Sequence, residues 1–134
     1  MTVYVDSSAF LKLYRDEPDS RLAENYLSAN PEWITARHTM VEVRRNLARL
    51  LSGTELSAAR QQFERDWQSA DIIELTEEVC SAAADVAEAT GSRTLDALHL
   101  GAARTAGGGM LPIVTFDTRQ AQSARALGWT VLGR

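Results

Sequence analysis

The sequence predicts an α/β fold, a three-layer α/β/α arrangement around a central, mainly parallel sheet of four to five strands. Residues 2–5 and 113–116 are short, continuous, β-branched runs, the pattern of strands buried on both faces. Such runs alternate with helical segments along the chain, as a parallel sheet covered on both sides requires. Both runs also stop at an acid, Asp6 and Asp117. Ligands of open α/β sheets sit outside the carboxyl ends of strands, so these two carboxylates mark the functional end of the molecule.

Each element follows from local signals. After the first strand a helix is expected over 7–16, with Ser7 or Ser8 able to cap its free N–H groups. A second follows Pro18-Asp19-Ser20 and runs to about Asn30, where Asn30-Pro31 breaks it. Residues 32–35 form a short strand. A long helix covers about 37–51 and stops at Ser52-Gly53, and another runs from near Thr54 to about Ser69. Residues 71–75 make the third strand. Thr76, Glu77 and Glu78 open a helix to about Thr90, the acids complementing its positive end. The helix over 94–106 is stopped by Gly107-Gly108-Gly109. Residues 112–116 are the fourth strand, 119–127 a helix, and 129–132 a final short strand.

Composition sets modest bounds. A length of 134 residues fits one domain, 1–134, and 45% apolar residues suffice for one core. No apolar run approaches the roughly 20 residues of a membrane span, and the N-terminus lacks a basic segment followed by an apolar one. No membrane association is expected, and a cytoplasmic location is the default. Cys80 is the single cysteine, which excludes an internal disulfide and a cysteine-rich zinc site, and it reads as a small core residue. A net charge of −4 weighs against a stand-alone nucleic-acid binder. Against that, all the basic residues except Lys12 are arginine, the better bidentate phosphate ligand.

Two further acids lie near helix starts that can pack beside those strand ends. In the helix over 37–51, Met40, Val43, Leu47, Leu50 and Leu51 form an apolar stripe. Glu42 falls outside it, beside Arg45, Asn46 and Arg49, and alone would read as a solvated glutamate. Asp96 belongs to Thr94-Leu95-Asp96-Ala97-Leu98-His99-Leu100, a segment apolar on nearly every side and expected to be buried. A buried carboxylate without a partner is costly. Its purely structural role is to neutralise first-turn N–H groups, with Thr94 as a possible cap. His99 reads as a hydrogen-bonded core histidine rather than a general acid or base, and His38 as a helix-start residue rather than a metal ligand. Four acids without a basic partner in their motifs point to a hard-metal site.

Asp6-Ser7-Ser8-Ala9, Thr39-Met40-Val41-Glu42-Val43, Leu95-Asp96-Ala97-Leu98-His99-Leu100 and Thr115-Phe116-Asp117 together resemble PIN-domain nucleases. Within them the chain is most similar to the VapC-type toxins of bacterial toxin–antitoxin pairs, and order and spacing agree along essentially its whole length. The resemblance implies that Asp6, Glu42, Asp96 and Asp117 are the acidic quartet that holds Mg²⁺ or Mn²⁺. It also implies that Ser7 and Thr115 are hydroxyls that orient ligands or water beside the quartet. Arg93 reads as an exposed arginine before a helix that could touch a phosphate. Many relatives carry another acid just after the last aspartate, whereas Thr118-Arg119 stands here, which places full ligation of a second ion in doubt.

The chemistry fits these residues apart from the resemblance. Magnesium and manganese prefer oxygen ligands. Converging carboxylates repel by on the order of 1–4 kcal/mol per pair at ~4 Å, so at least one should have a raised pKa when no cation is bound. A bound ion would relieve the repulsion and activate a water. The expected reaction is hydrolysis of RNA, leaving a 5′-phosphate and a 3′-hydroxyl as the resemblance implies, in transfer or ribosomal RNA. It further implies inhibition by a VapB-type antitoxin, a homodimer, and a toxin–antitoxin hetero-oligomer. The antitoxin would dock on the helices over 37–51 and 55–69, where Phe63 and Trp67 are either apolar anchors or core residues.

Other readings fit less well. A phosphoacceptor receiver domain needs an acid pair after the first strand and a late lysine. A haloacid-dehalogenase-type phosphatase needs aspartates two apart, and Ser8 holds the second position. The glycine run follows a helix and precedes a strand, the wrong context for a phosphate loop. Two functional alternatives remain: a catalytically silent PIN-like module that binds RNA or protein, and a structure-specific DNA nuclease.

Overall fold

β1 (Thr2–Val5) buries Val3, Tyr4 and Val5 completely, as a β-branched run at the centre of a covered sheet should. The computed structural model describes residues 1–134. Its sheet has five strands, all parallel. β2 (Glu32–Ala36) and β4 (Ile113–Thr115) flank β1, β3 (Asp71–Ile73) lies outside β2, and β5 (Val131–Gly133) lies outside β4. The expected three-layer fold is therefore present, with five strands and no antiparallel member.

Strand pleating divides the core in two. On one face Val3, Val5 and Val114 pack against α1 (Ser7–Lys12), α2 (Ser20–Ala29), α3 (His38–Leu50) and α4 (Gly53–Ser69) through Phe10, Leu27, Leu47 and Phe63. On the other, Tyr4 and Ile113 meet α5 (Glu77–Thr90), α6 (Thr94–Gly107) and α7 (Thr118–Ala126) through Val86, Leu100 and Ala124. The connections run outward from β1 to β3 over the first face, then cross to β4 over the second. The order of strands reverses between β1 and β4, so loops after these two strands diverge and leave a crevice at their carboxyl ends. Asp6 and Asp117 stand at that crevice.

Several boundaries differ from the sequence reading, each for a local reason. α1 ends at Lys12 because i→i−3 bonds from Leu13 to Phe10 and Tyr14 to Leu11 tighten its end. Lys12 Nζ then bonds Glu17 at 3.0 Å and Asp19 at 2.7 Å, which folds the loop back. The cap of α1 is Asp6 itself, which accepts from the Ala9 N–H, and not Ser7 or Ser8. Thr94 is the first residue of α6 and makes no side-chain cap. Past the helix stop, Gly108–Met110 form a single 3-10 turn.

Cys80 is exposed, because α5 turns Val79, Ala83 and Val86 inward and Cys80 outward. Phe63 lies in the core edge-on to Phe10 at 5.7 Å, which removes it as a docking anchor, while Trp67 is partly buried beside it. No helix is long and apolar enough to cross a membrane.

Candidate active site

The four predicted acids come from four separate segments, and the fold brings them to one cavity of about 230 Å³. Asp6 follows β1, Glu42 sits in the first turns of α3, Asp96 in the first turn of α6, and Asp117 after β4. Ser7 lines the same cavity, and Thr115 is buried directly behind it. Ser8, Asn46 and His99 also line it, where Ser8 and Asn46 had no expected part and His99 was expected in the core.

Asp6 is buried and held on both oxygens. Oδ1 accepts from Ser8 Oγ at 2.7 Å and Ala9 N at 3.1 Å, and Oδ2 accepts from Thr115 Oγ1 at 2.5 Å. Burial nevertheless pushes its pKa up, against the pull of His99 and these donors. A carboxylate has about four acceptor sites, so the clamp still leaves one for a cation. Asp117 caps α7 through Gln120 N at 2.9 Å, with its own N–H directed at Thr115 Oγ1 at 3.1 Å. Both aspartates therefore serve helix ends as well as the cavity.

Glu42 is fixed through one oxygen. Oε1 accepts from Ser7 Oγ at 2.6 Å and lies 2.7 Å from His99 Nε2. The other ring nitrogen, Nδ1, is 2.7 Å from the hydroxyl of Tyr4. Burial first, and then Asp6, keep that phenol protonated well above its usual range. The Glu42 carboxylate can only accept, so His99 carries a proton on Nε2, facing it. Burial alone would lift Glu42, but the hydrogen bonds from His99 and Ser7 and the adjacent imidazoles outweigh it and hold the carboxyl below its usual value. The expected neighbour Asn46 is present, but it donates to the Glu42 backbone carbonyl at 2.9 Å.

Asp96 differs from the other three. It is half-buried and its side chain accepts no hydrogen bond, although full burial was expected from the apolar helix around it. Burial raises its pKa, Asp117, Asp6 and Glu42 raise it further, and His99 alone opposes them. The mutual repulsion expected of converging carboxylates is thus expressed at this residue.

These residues suit a hard divalent cation. Four carboxylates supply oxygen only, two of them are raised above their usual range, and the one without hydrogen bonds faces the other three. No three of the acids bring ligand atoms within 4.8 Å of one another. An ion with bonds of about 2.0–2.1 Å would keep waters between itself and some of them, as magnesium does. His38, Glu42 and His99 do place ligand atoms within 4.8 Å. Both imidazoles, however, present a proton on Nε2, His99 to Glu42 and His38 to the Leu95 carbonyl at 3.2 Å. Burial and His99 hold His38 down to about 4, so it is neutral and positions α3 against α6. Glu42 and His99 are thus a hydrogen-bonded wall of the cavity, His38 lies outside its lining, and the trio is not arranged as a metal site.

Comparison with known proteins agrees with this arrangement. Residues 3–126 match the PIN domain. The chain is 34% identical to ribonuclease VapC45 of Mycobacterium tuberculosis, over 96% of this chain and 93% of that protein. It is also 34% identical to ribonuclease VapC35 of the same organism, over 97% and 95%. Among solved structures it is similar to VapC20 of M. tuberculosis, described as a sarcin–ricin loop cleaving toxin, with a TM-score of 0.75 over 96% of both chains at 18% identity. A toxin–antitoxin complex from Klebsiella pneumoniae matches with a TM-score of 0.70 at 17% identity, over 88% of both chains. At such identities the structures speak for the fold. The sequence matches go further, and the chain belongs to the PIN-domain family, among the VapC ribonucleases.

Proposed function

We propose that this chain, read as a single PIN domain over 1–134, is a divalent-metal-dependent endoribonuclease toxin restrained by a VapB-type antitoxin. Asp6, Glu42, Asp96 and Asp117 are its catalytic carboxylates and hold Mg²⁺ or Mn²⁺, with Ser7 and Thr115 in support. The observation that carries the reading is the convergence of four acids on one crevice at the strand-order reversal, one of their carboxylates without any hydrogen bond. The names of its relatives, ribonucleases VapC45 and VapC35, supply the substrate class. The toxin–antitoxin complex similar in fold supplies the partner class. A homodimer and a toxin–antitoxin hetero-oligomer belong to the same reading.

The bound cation would activate water and stabilise charge on the attacked phosphodiester. The chain prepares the rest. Ser8, Thr115 and the Ala9 N–H fix the Asp6 carboxylate. Ser7 and His99 bind Glu42 Oε1 and leave Oε2 without a hydrogen bond in a residue that lines the cavity. Asp96 and Asp117 border the opening. Such fixed acceptors need no rearrangement when ligand arrives, which is the basis of electrostatic preorganisation.

The test is digestion of total cellular RNA by antitoxin-free protein with Mn²⁺, with the new 5′ ends sequenced and an Asp6→Ala control alongside. Cleavage at one position of a transfer or ribosomal RNA, with 5′-phosphate ends, is expected. Flap DNA cut in preference to RNA would support the DNA-nuclease alternative. Absence of both cleavage and calorimetric Mn²⁺ binding would support a silent module.

A further inference from the structure

A second polar cavity, of about 290 Å³, adjoins the acid crevice, and Asp96 lines both. Its walls are the loop between α5 and α6 and the first turns of α7. Two arginines line it, Arg93 from the loop and Arg119 from α7, and no hydrophobic residue does. Neither guanidinium is engaged in an ion pair: the salt bridges of the chain involve Lys12, Arg15, Arg37, His38 and His99.

We propose that this cavity is a phosphate subsite that grips an RNA phosphodiester neighbouring the scissile one, through Arg93 and Arg119. The inference rests on the ribonuclease reading and extends it to how the substrate is held. A chain of net charge −4 with an acidic crevice repels a polyanion, so cations beside that crevice are needed to bring RNA to it. Guanidinium groups match phosphate oxygens in paired, bidentate fashion.

The loop that carries Arg93 is held in place. Gly91, at φ 74°, closes α5 in the left-handed region and turns the loop sharply towards α6. Thr90 Oγ1 donates to the Val86 carbonyl at 2.8 Å and accepts from the Ser92 N–H, and Ser92 Oγ lies 2.6 Å from Thr90 Oγ1 and 2.8 Å from Ser123 Oγ. Without an apolar wall the cavity offers nothing for the side-chain anchors a docking peptide would use.

The test is binding of a fluorescent, randomised 12-nucleotide single-stranded RNA to the full chain in EDTA, where binding is read without cleavage. Arg93→Gln and Arg119→Gln are each expected to weaken binding by about 3–10-fold, and the double variant by more. The slope of log K against log salt should shrink by roughly 0.7 for each phosphate that the protein no longer neutralises. Lysine at either position should recover part of the affinity. Arg104→Gln, at the far end of α6, should match the unaltered protein.

With Mn²⁺ present, the double variant should raise KM while kcat stays within about twofold. Unchanged RNA affinity and salt slope in the double variant would overturn the proposal. So would unchanged RNA affinity with weakened binding of a poly-glutamate peptide, which would assign the arginines to an acidic protein segment. If no RNA is cut under any condition, the arginine effect in EDTA still decides the subsite. If cleavage depends on Asp6 but KM ignores both arginines, the subsite falls and the nuclease stands.

Discussion

His99 Nε2 donates to Glu42 Oε1 at 2.7 Å, while the Tyr4 hydroxyl holds the opposite nitrogen of the same ring at 2.7 Å. The phenol of the central strand thus holds the ring that orients an acid on α3. Removing the ring by His99→Leu leaves a buried phenol without a partner, at a cost of roughly 1–3 kcal/mol. It also leaves Glu42 with Ser7 as its single donor to Oε1. Activity should fall by about 10–100-fold, the range for removing outer-shell partners of a metal ligand. His99→Gln should retain more of both stability and rate, measured by melting and by single-turnover cleavage.

Asp96 is an acid whose ionisation the fold opposes. Its raised pKa means that its contribution to stability is present below the unfolded value of 3.8 and is lost as pH rises through the folded value. At pH 7.5 without cation the charge is therefore a burden. Asp96→Asn should melt higher than the unaltered protein in EDTA, by about 1–4 °C, a modest figure because water screens a half-buried group. Mn²⁺ should raise the melting temperature of the unaltered protein more than that of the variant.

Thr115 joins the two strand-end aspartates, donating to Asp6 Oδ2 and accepting from the Asp117 N–H. Thr115→Val should cost about 1–3 kcal/mol, since it strips a buried carboxylate of a donor. Asp6 would then rise further, because the donor that pulls its pKa down is gone. Cleavage requiring ionised Asp6 should show its acidic limb moved to higher pH, and Thr115→Ser should restore it. The pH–rate profile of each variant is the measurement.

Gly101 sets the spacing of α6 against α5. A Cβ there would stand 2.6 Å from Ala83 N and 2.8 Å from Ala83 Cα, backbone atoms that cannot swing aside. Gly101→Ala should lose roughly 1–3 kcal/mol or more, seen as a lower denaturant midpoint, because one helix must move off the other.

Much of this molecule is legible in the sequence, and the shortfalls have physical causes. Val3, Val5 and Ile113 announce buried parallel strands by their branching, and Asp6 and Asp117 mark strand ends. Periodicity places Glu42 off the apolar stripe of α3, yet the stripe cannot show that its flank meets Ser7 and His99 from other elements. Tyr4 held a usable clue, since a phenol inside a fully covered strand needs a polar partner. The partner lies 95 residues away and is found only once α6 is laid on the sheet. Local capping preferences favoured Ser7 and Ser8 for α1, whereas Asp6 takes that role because its carboxylate already faces the helix N-terminus from β1. Cys80 was misplaced because an alanine-rich helix offers little contrast between its inner and outer faces.

Metal-dependent RNA cleavage by antitoxin-free protein, compared between the unaltered chain and Asp96→Asn, tests the central claim most directly. The account predicts cleavage with Mn²⁺ that stops in EDTA, returns on adding Mn²⁺, and drops by at least about 100-fold in the variant, a loss of about 2.7 kcal/mol in transition-state stabilisation. An Asp96→Asn protein that remains folded and cuts RNA at the full rate, or an activity indifferent to EDTA, would contradict it.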